Sequence, residues 1–177
     1  RDPRRNRQVH ARMSLVPEDE AVPPGLTARQ FVRYTADLHR VTDRDAPDHA
    51  LHSVDLLDAA DRKVDTFSKG MRQRVGIARA LVTEPDIILF DEPNTGLDPQ
   101  VGQEIYELIA ATQRGKGFTG IVVSHEIPEI FQVCDRVAML YQGRVQVEGS
   151  VDDFLGSTNP VVQQFVAGRV EGPIEFA

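Results

Sequence analysis

The chain of 177 residues carries 20 basic and 27 acidic side chains, a formal charge of −7, with 41% hydrophobic residues, one cysteine and no tryptophan. Those proportions exclude a disordered or fibrous chain and fit one globular domain of about 100–200 residues. The acidic balance argues against a general nucleic-acid surface, so no nucleic-acid partner is expected, and no apolar stretch reaches the roughly 20 residues that span a bilayer.

Arg1, Arg4, Arg5, Arg7 and Arg12 make the start locally basic, which reads as a solvated face, and Arg1-Asp-Pro-Arg-Arg5 lacks the apolar core of a signal peptide. The first methionine is Met13, so the true N-terminus is expected upstream of Arg1. From Glu18 to Thr66 the sequence is charged and helical. Thr27-Ala-Arg-Gln30 has the pattern of a capping box, opening a helix with Phe31, Tyr34, Thr35 and Leu38 on one side. Residues 50–57 repeat the pattern more weakly. After Ser68, Met71, Val75, Ala78 and Val82 recur at helical spacing; after Asp98-Pro99, Val101, Ile105, Leu108 and Thr112 do the same.

Short apolar runs over 86–91, 119–124, 136–141 and 144–148 stand between and after these helices. Runs apolar on both faces predict a mostly parallel sheet covered on both sides. Cys134 lies in the apolar run 131–137 and is expected to be a buried packing residue; a lone cysteine forms no internal disulfide, which fits a reducing compartment. Tyr141-Gln-Gly-Arg144 predicts a tight turn between the last two strands. The tail from Ser150 holds an N-cap, short apolar stretches around Phe154 and Phe165, and Gly172-Pro173.

Four segments carry chemistry: Phe67-Ser-Lys-Gly-Met-Arg-Gln-Arg-Val75, Ile87-Ile-Leu-Phe-Asp-Glu-Pro93, Thr95-Gly-Leu-Asp-Pro99 and Val122-Val-Ser-His125. Each alone has a bland reading: Ser68 as a helix N-cap, Asp91-Glu92 as a solvated pair at a strand end, Asp98-Pro99 as a cap followed by proline, His125 as a loop histidine. Their order and spacing together are the signal. The sequence resembles the nucleotide-binding domains of ATP-binding cassette (ABC) transporters over nearly its whole length. The strand ending in Asp91-Glu92 looks like the Walker B motif, Ser68-Lys-Gly-Met71 like the family signature, Asp98 like the D-loop aspartate and His125 like the switch histidine. Leu15-Val-Pro-Glu-Asp19 sits where the family has its Q-loop.

The resemblance implies an α/β fold of the P-loop NTPase type: a mostly parallel sheet flanked by helices, with an inserted α-helical subdomain. It divides the chain into the end of an N-terminal core portion (1–17), a helical subdomain (18–67), the signature helix and catalytic core (68–149) and a C-terminal helical tail (150–177). It implies ATP and Mg²⁺ as ligands, with Glu92 and His125 catalytic, Asp91 and Glu18 toward the metal, and Ser68, Lys69, Gly70, Met71, Asp98 and Glu18 toward the nucleotide. The chemistry fits these residue types. Phosphoryl transfer needs anion-binding amides, a carboxylate near the metal and a base for the attacking water. A helix beginning at Ser68 offers free N–H groups, Gly70 permits close approach, and Lys69 adds charge. The implied partners are a transmembrane permease subunit, docking against the region 18–57 that includes Val22, Leu26 and Tyr34, and a second ATP-binding subunit, as a homodimer. The implied location is cytoplasmic and peripheral, on the inner face of a bacterial membrane.

Three departures qualify the match. The signature has Lys69 and Met71 where the family usually has glycine and glutamine, and the Q-loop glutamine is Glu18. No G-x-x-x-x-G-K-[ST] occurs in the sequence. That Walker A loop is expected upstream of Arg1, with a core strand beside that of Asp91, so these residues alone are expected to expose apolar surface or a sheet edge and to be inactive as an ATPase. Residues 15–74 look like ATPases of drug or polysaccharide exporters, whereas 91–174 look more like ATPases of bacterial phospholipid transporters of the lipid-asymmetry (toluene-tolerance) type. Lipid transport is the favoured cargo. A non-transport ABC ATPase and an inactive interaction module are the rival classes.

Overall fold

Four residues that hydrophobic patterning does not mark, Met13–Val16, form the first strand, β1. The computed structural model describes residues 9, 11–19 and 21–175, in two units, Arg1–His125 and Glu126–Ala177. Arg1, Arg4, Arg5 and Arg7 of the basic run lie outside the described residues; Arg12 is exposed and ion-paired with Asp86.

In the first unit β1 runs parallel to β2 (Ile87–Asp91), which runs parallel to β3 (Thr119–Val123), in the order β1-β2-β3. The register aligns Leu15 with Leu89 and Ile121, and Val16 with Phe90 and Val122. Successive strand residues point to opposite faces. Val16, Ile88 and Phe90 are fully buried on one face, while Leu15, Ile121 and Val123 on the other are each 48% exposed. The expectation of a sheet covered on both sides is therefore corrected: among the described residues one face packs and the other stands open. The strand of Asp91 has neighbours on both sides, so the exposed apolar surface is a sheet face and not an edge of β2.

Helix α1 (Ala28–Leu38) starts at the expected capping box, in which Gln30 N donates to Thr27 Oγ1 at 3.2 Å and Thr27 N donates to Gln30 Oε1 at 3.0 Å. It buries Ala28, Phe31, Val32, Thr35 and Ala36, whereas Tyr34 and Leu38 are exposed. The small Ala28 and Ala36 let the helix pack through the side they share with Val32 and Thr35, which turns Tyr34 away. Arg29 on α1 pairs with Asp48 and with Asp61, and its guanidinium holds the Asp61 carboxyl below the usual range. The helix expected over 50–57 is α2, Ala46–His52, followed by Asp55 at φ 57° and a 3₁₀ turn at Leu57–Ala59. Of the apolar residues counted as its continuation, Val54 and Leu56 lie in the link after the helix and Leu57 opens that turn.

Helix α3 (Lys69–Leu81) is buried over most of its circumference, at Gly70, Gln73, Val75, Gly76, Ile77, Ala78, Ala80 and Leu81, as befits a central helix. Helix α4 (Pro99–Lys116) is capped by Asp98 and closed by Gly117 at φ 77°, the left-handed terminator that glycine adopts without strain. It buries Gly102, Ile105, Tyr106, Ile109 and Thr112. Of the expected stripe, Ile105 and Thr112 are buried, while Gly102 and Ile109 take the buried places expected of Val101 and Leu108 and Tyr106 is buried beside them.

The second unit holds a 3₁₀ turn (Glu129–Gln132), strands β4 (Val137–Tyr141) and β5 (Arg144–Gly149), and helices α5 (Val151–Leu155) and α6 (Pro160–Val166). β4 and β5 form an antiparallel hairpin and not part of the parallel sheet. The tight turn is as expected: Gln142 at φ 50° and Gly143 at φ 72° are both left-handed, the requirement of a two-residue type I′ loop. Met139, Phe154 and Val162 form the core of this unit with Phe131 and Phe165 packed against it. Cys134, expected to be buried, is half-buried in the irregular segment before β4, and that burial pushes its thiol above its ordinary pKa.

Candidate active site

Parallel pairing brings the carboxyl ends of β1, β2 and β3 to one end of the sheet, where open α/β sheets bind their ligands. Glu18 stands two residues beyond Val16, Asp91 and Glu92 close β2, and His125 follows β3 by two residues. The Glu92 amide donates to Val123 O at 2.9 Å, extending the ladder by one step. Glu92 then takes φ 46°, a left-handed conformation that costs a residue with a Cβ on the order of 1–3 kcal/mol. Glu92 Oε1 lies 2.7 Å from His125 Nδ1. A carboxylate only accepts, so Nδ1 carries the proton and donates. Glu92 Oε2 is buried and has no hydrogen-bond partner among the described residues. One oxygen is held by histidine; the other keeps its full hydrogen-bonding capacity.

Asp91 is exposed at the strand end, and among the described residues no group of three or more His, Cys, Asp and Glu is placed to hold a metal. A single carboxylate suits Mg²⁺, which retains waters and takes its remaining ligands from substrate phosphates, so Asp91 fits such an ion without a protein cage. Glu18 is exposed on the bend after β1, at the same end of the sheet, and the structure gives it no polar partner among the described residues.

A second group lies at the starts of α3 and α4. Ser68 caps α3, accepting from Met71 N at 3.2 Å, and Asp98 caps α4, accepting from Val101 N at 3.1 Å. A Cβ at Gly70 would stand 2.8 Å from Val101 Cγ1, so only glycine lets these two helix starts approach this closely. Lys69 is half-buried, Met71 partly buried against the core, and Ser68 and Asp98 exposed. Between the two groups runs the turn 92–97, in which Thr95 N donates to Glu92 O at 3.2 Å and Leu97 N donates to Asn94 O at 3.1 Å.

Sequence reading missed the polar support beneath this site. The fully buried Tyr106 hydroxyl lies 2.9 Å from Asn94 Oδ1 and 3.0 Å from Ser124 Oγ. It thereby joins α4 to the residue after Pro93 and to the residue before His125. The signal was a tyrosine beside Ile105 in the apolar stripe, since a buried tyrosine requires a hydroxyl partner.

The family described as ABC transporter matches residues 1–95. A methionine import ATP-binding protein, MetN, of Carboxydothermus hydrogenoformans is 44% identical over 117 residues, 66% of this chain and 35% of that protein. The intermembrane phospholipid transport system ATP-binding protein MlaF of Escherichia coli K12 is 36% identical over 126 residues, 71% of this chain and 47% of that protein. The chain thus spans less than half the length of these curated relatives. The solved structure of cbiO1 from Clostridium perfringens, part of the ABC transporter complex cbiONQ, superposes with a TM-score of 0.77 at 27% identity, covering 86% of this chain and 62% of that one. The fold is the α/β fold of P-loop NTPases, with its parallel sheet and flanking helices. With the carboxylate pair closing the central strand, the histidine at the end of its neighbour and a glycine-bearing signature at the start of a buried helix, the chain belongs to the ABC transporter family.

Proposed function

We propose that this chain supplies the signature and hydrolytic part of an ATP-binding subunit that drives an ABC transporter. The observation that carries the reading is Glu92, with one carboxylate oxygen held by His125 and the other buried without a partner among the described residues. A water placed against Oε2 gives it a proton as the water oxygen bonds to the γ-phosphorus. The bridging P–O bond to the β-phosphate breaks, and its electron pair leaves with ADP. His125 holds the carboxylate in place; Ser68, Lys69, Gly70 and Met71, with Asp98, face the terminal phosphate of an ATP held by a second ATP-binding subunit, as in a homodimer. Asp91 and Glu18 lie toward Mg²⁺, which when bound neutralises charge on the phosphates.

The division at 17, 67 and 149 fits this assignment of labour, with 18–67 as the helical region that meets a transmembrane permease and 150–177 as a helical tail. Exposed Tyr34 and Leu38 on α1 are the apolar contacts that such a permease would cover. The subunit then works at the cytoplasmic face of a bacterial membrane, binding no nucleic acid; among the described residues no helix is long and apolar enough to cross it. A phospholipid-like cargo is favoured by the likeness of residues 91–174 to lipid-transport ATPases and by the relative named for phospholipid transport. The relative named for methionine import and the exporter-like segment 15–74 keep amino-acid import and drug or polysaccharide export as alternatives. Having no Walker A sequence of their own, these 177 residues alone are proposed to be inactive. The test is ATPase activity of the full-length subunit reconstituted with its permease in vesicles with and without phospholipid exchange. Turnover unaffected by Glu92→Gln would remove the hydrolytic assignment, and stimulation by methionine but not by lipid would reassign the cargo.

A further inference from the structure

The signature lysine is seated on a glycine of the neighbouring turn. Lys69 opens α3 with its side chain half-buried, and among the described residues it has no ion pair and no hydrogen bond. Its position is nevertheless specific. A Cβ added at Gly96 would stand 2.5 Å from Lys69 Nζ, 3.6 Å from Cε and 3.9 Å from Cδ, so the end of the lysine chain lies along the bare Cα of Gly96. Gly96 has φ 68° within the turn that leads from Glu92 to Asp98.

We propose that Gly96 is a positioning residue for ATP: by lacking a side chain it seats the Lys69 ammonium at the signature, where that ammonium recognises the terminal phosphate of the nucleotide. The inference rests on the functional reading above and adds to it the residue that fixes the cation. It follows that the turn carrying Gly96 and the charge carried by Lys69 are set together. A side chain at Gly96 displaces the ammonium, which is the far end of a flexible chain, and the left-handed φ adds backbone strain that asparagine bears better than alanine, so the two variants separate lost stability from the lost phosphate contact.

The experiment is a double-mutant cycle in the full-length subunit reconstituted with its permease, with Mg·ATP as the probe. Lys69→Gly and Gly96→Ala are each expected to raise KM for ATP by roughly tenfold, the usual worth of a charge-assisted hydrogen bond, and to affect KM more than kcat. The double variant is expected to be no worse than either single one, because both remove the same contact. Gly96→Asn, which accepts left-handed φ yet still has a Cβ, should match Gly96→Ala in KM while melting closer to wild type. Losses that add in the double variant, a KM unchanged in Lys69→Gly, or a wild-type KM in Gly96→Asn would overturn the proposal while leaving the ATPase reading intact. A wild-type subunit that turns over no ATP would overturn both.

Discussion

The ends of β2 and β3 and the starts of α3 and α4 both handle phosphate in this reading, yet they are built on opposite principles. At the strand ends, ionisable groups are concentrated: Asp91, a strained Glu92 and His125, with a carboxylate oxygen left without a partner among the described residues. At the helix starts, Ser68 and Asp98 spend their side chains on their own caps, and what remains is backbone, glycine and one lysine. The first arrangement can move a proton. The second can hold an anion and read its shape. Substitutions in the first region should therefore act on turnover, and those in the second on binding and assembly.

The largest expected effect is at Glu92. Glu92→Gln in the full-length subunit should lower ATP turnover by roughly 10² to 10⁴, the worth of a positioned general base, while nucleotide binding stays intact. Steady-state phosphate release together with equilibrium nucleotide binding checks this, and turnover within tenfold of wild type would erase the distinction drawn between the regions. His125→Ala follows, with a loss of about 10² in turnover, because Glu92 Oε1 loses the donor that orients it. Loss of ATP binding in this variant would instead mark the histidine as a structural support.

Ser68→Arg tests the other region. In a Glu92→Gln background it should abolish ATP-driven dimerisation in sedimentation while leaving single-subunit nucleotide binding nearly unchanged, since the bulky side chain occupies the phosphate's space. Ser68→Ala separates this from the cap, removing only the 3.2 Å bond to Met71 N and costing about 1 kcal/mol of stability. Persistent ATP-dependent dimers in the arginine variant would break the assignment of the signature. The smallest effect is expected from Asp98→Ala, about 1 kcal/mol from the lost α4 cap in a denaturant titration. A much larger loss of stability would mean that Asp98 holds more than its own helix.

Much of the local structure around the candidate site was legible because its residues lie in short contiguous segments, each with its own local requirement. Ser68 and Asp98 are caps at the starts of helices whose apolar spacing is visible, and the helix boundaries follow from them. Asp91 and Glu92 end a run of four apolar residues, which reads as a buried strand. What escaped were contacts between segments distant in sequence: Tyr106 with Asn94 and Ser124, and Lys69 along Gly96. No periodicity within one segment encodes them.

The sequence by itself determined the local choices: the Thr27 capping box, the tight turn at Gln142-Gly143, the caps at Ser68 and Asp98 and the order of the segments proposed to handle phosphate. These depend on neighbours within a few residues, whose sterics and hydrogen bonds are set by residue type. The tertiary structure alone decided which runs share a sheet, that β4 pairs with β5 while Met13–Val16 pairs with the strand of Asp91, and which face of each strand and helix is buried. It also decided that Tyr34 lies outside and Tyr106 inside. Burial depends on the surface each element meets, and an apolar run carries the same pattern whether its partner is a helix, a strand or another subunit.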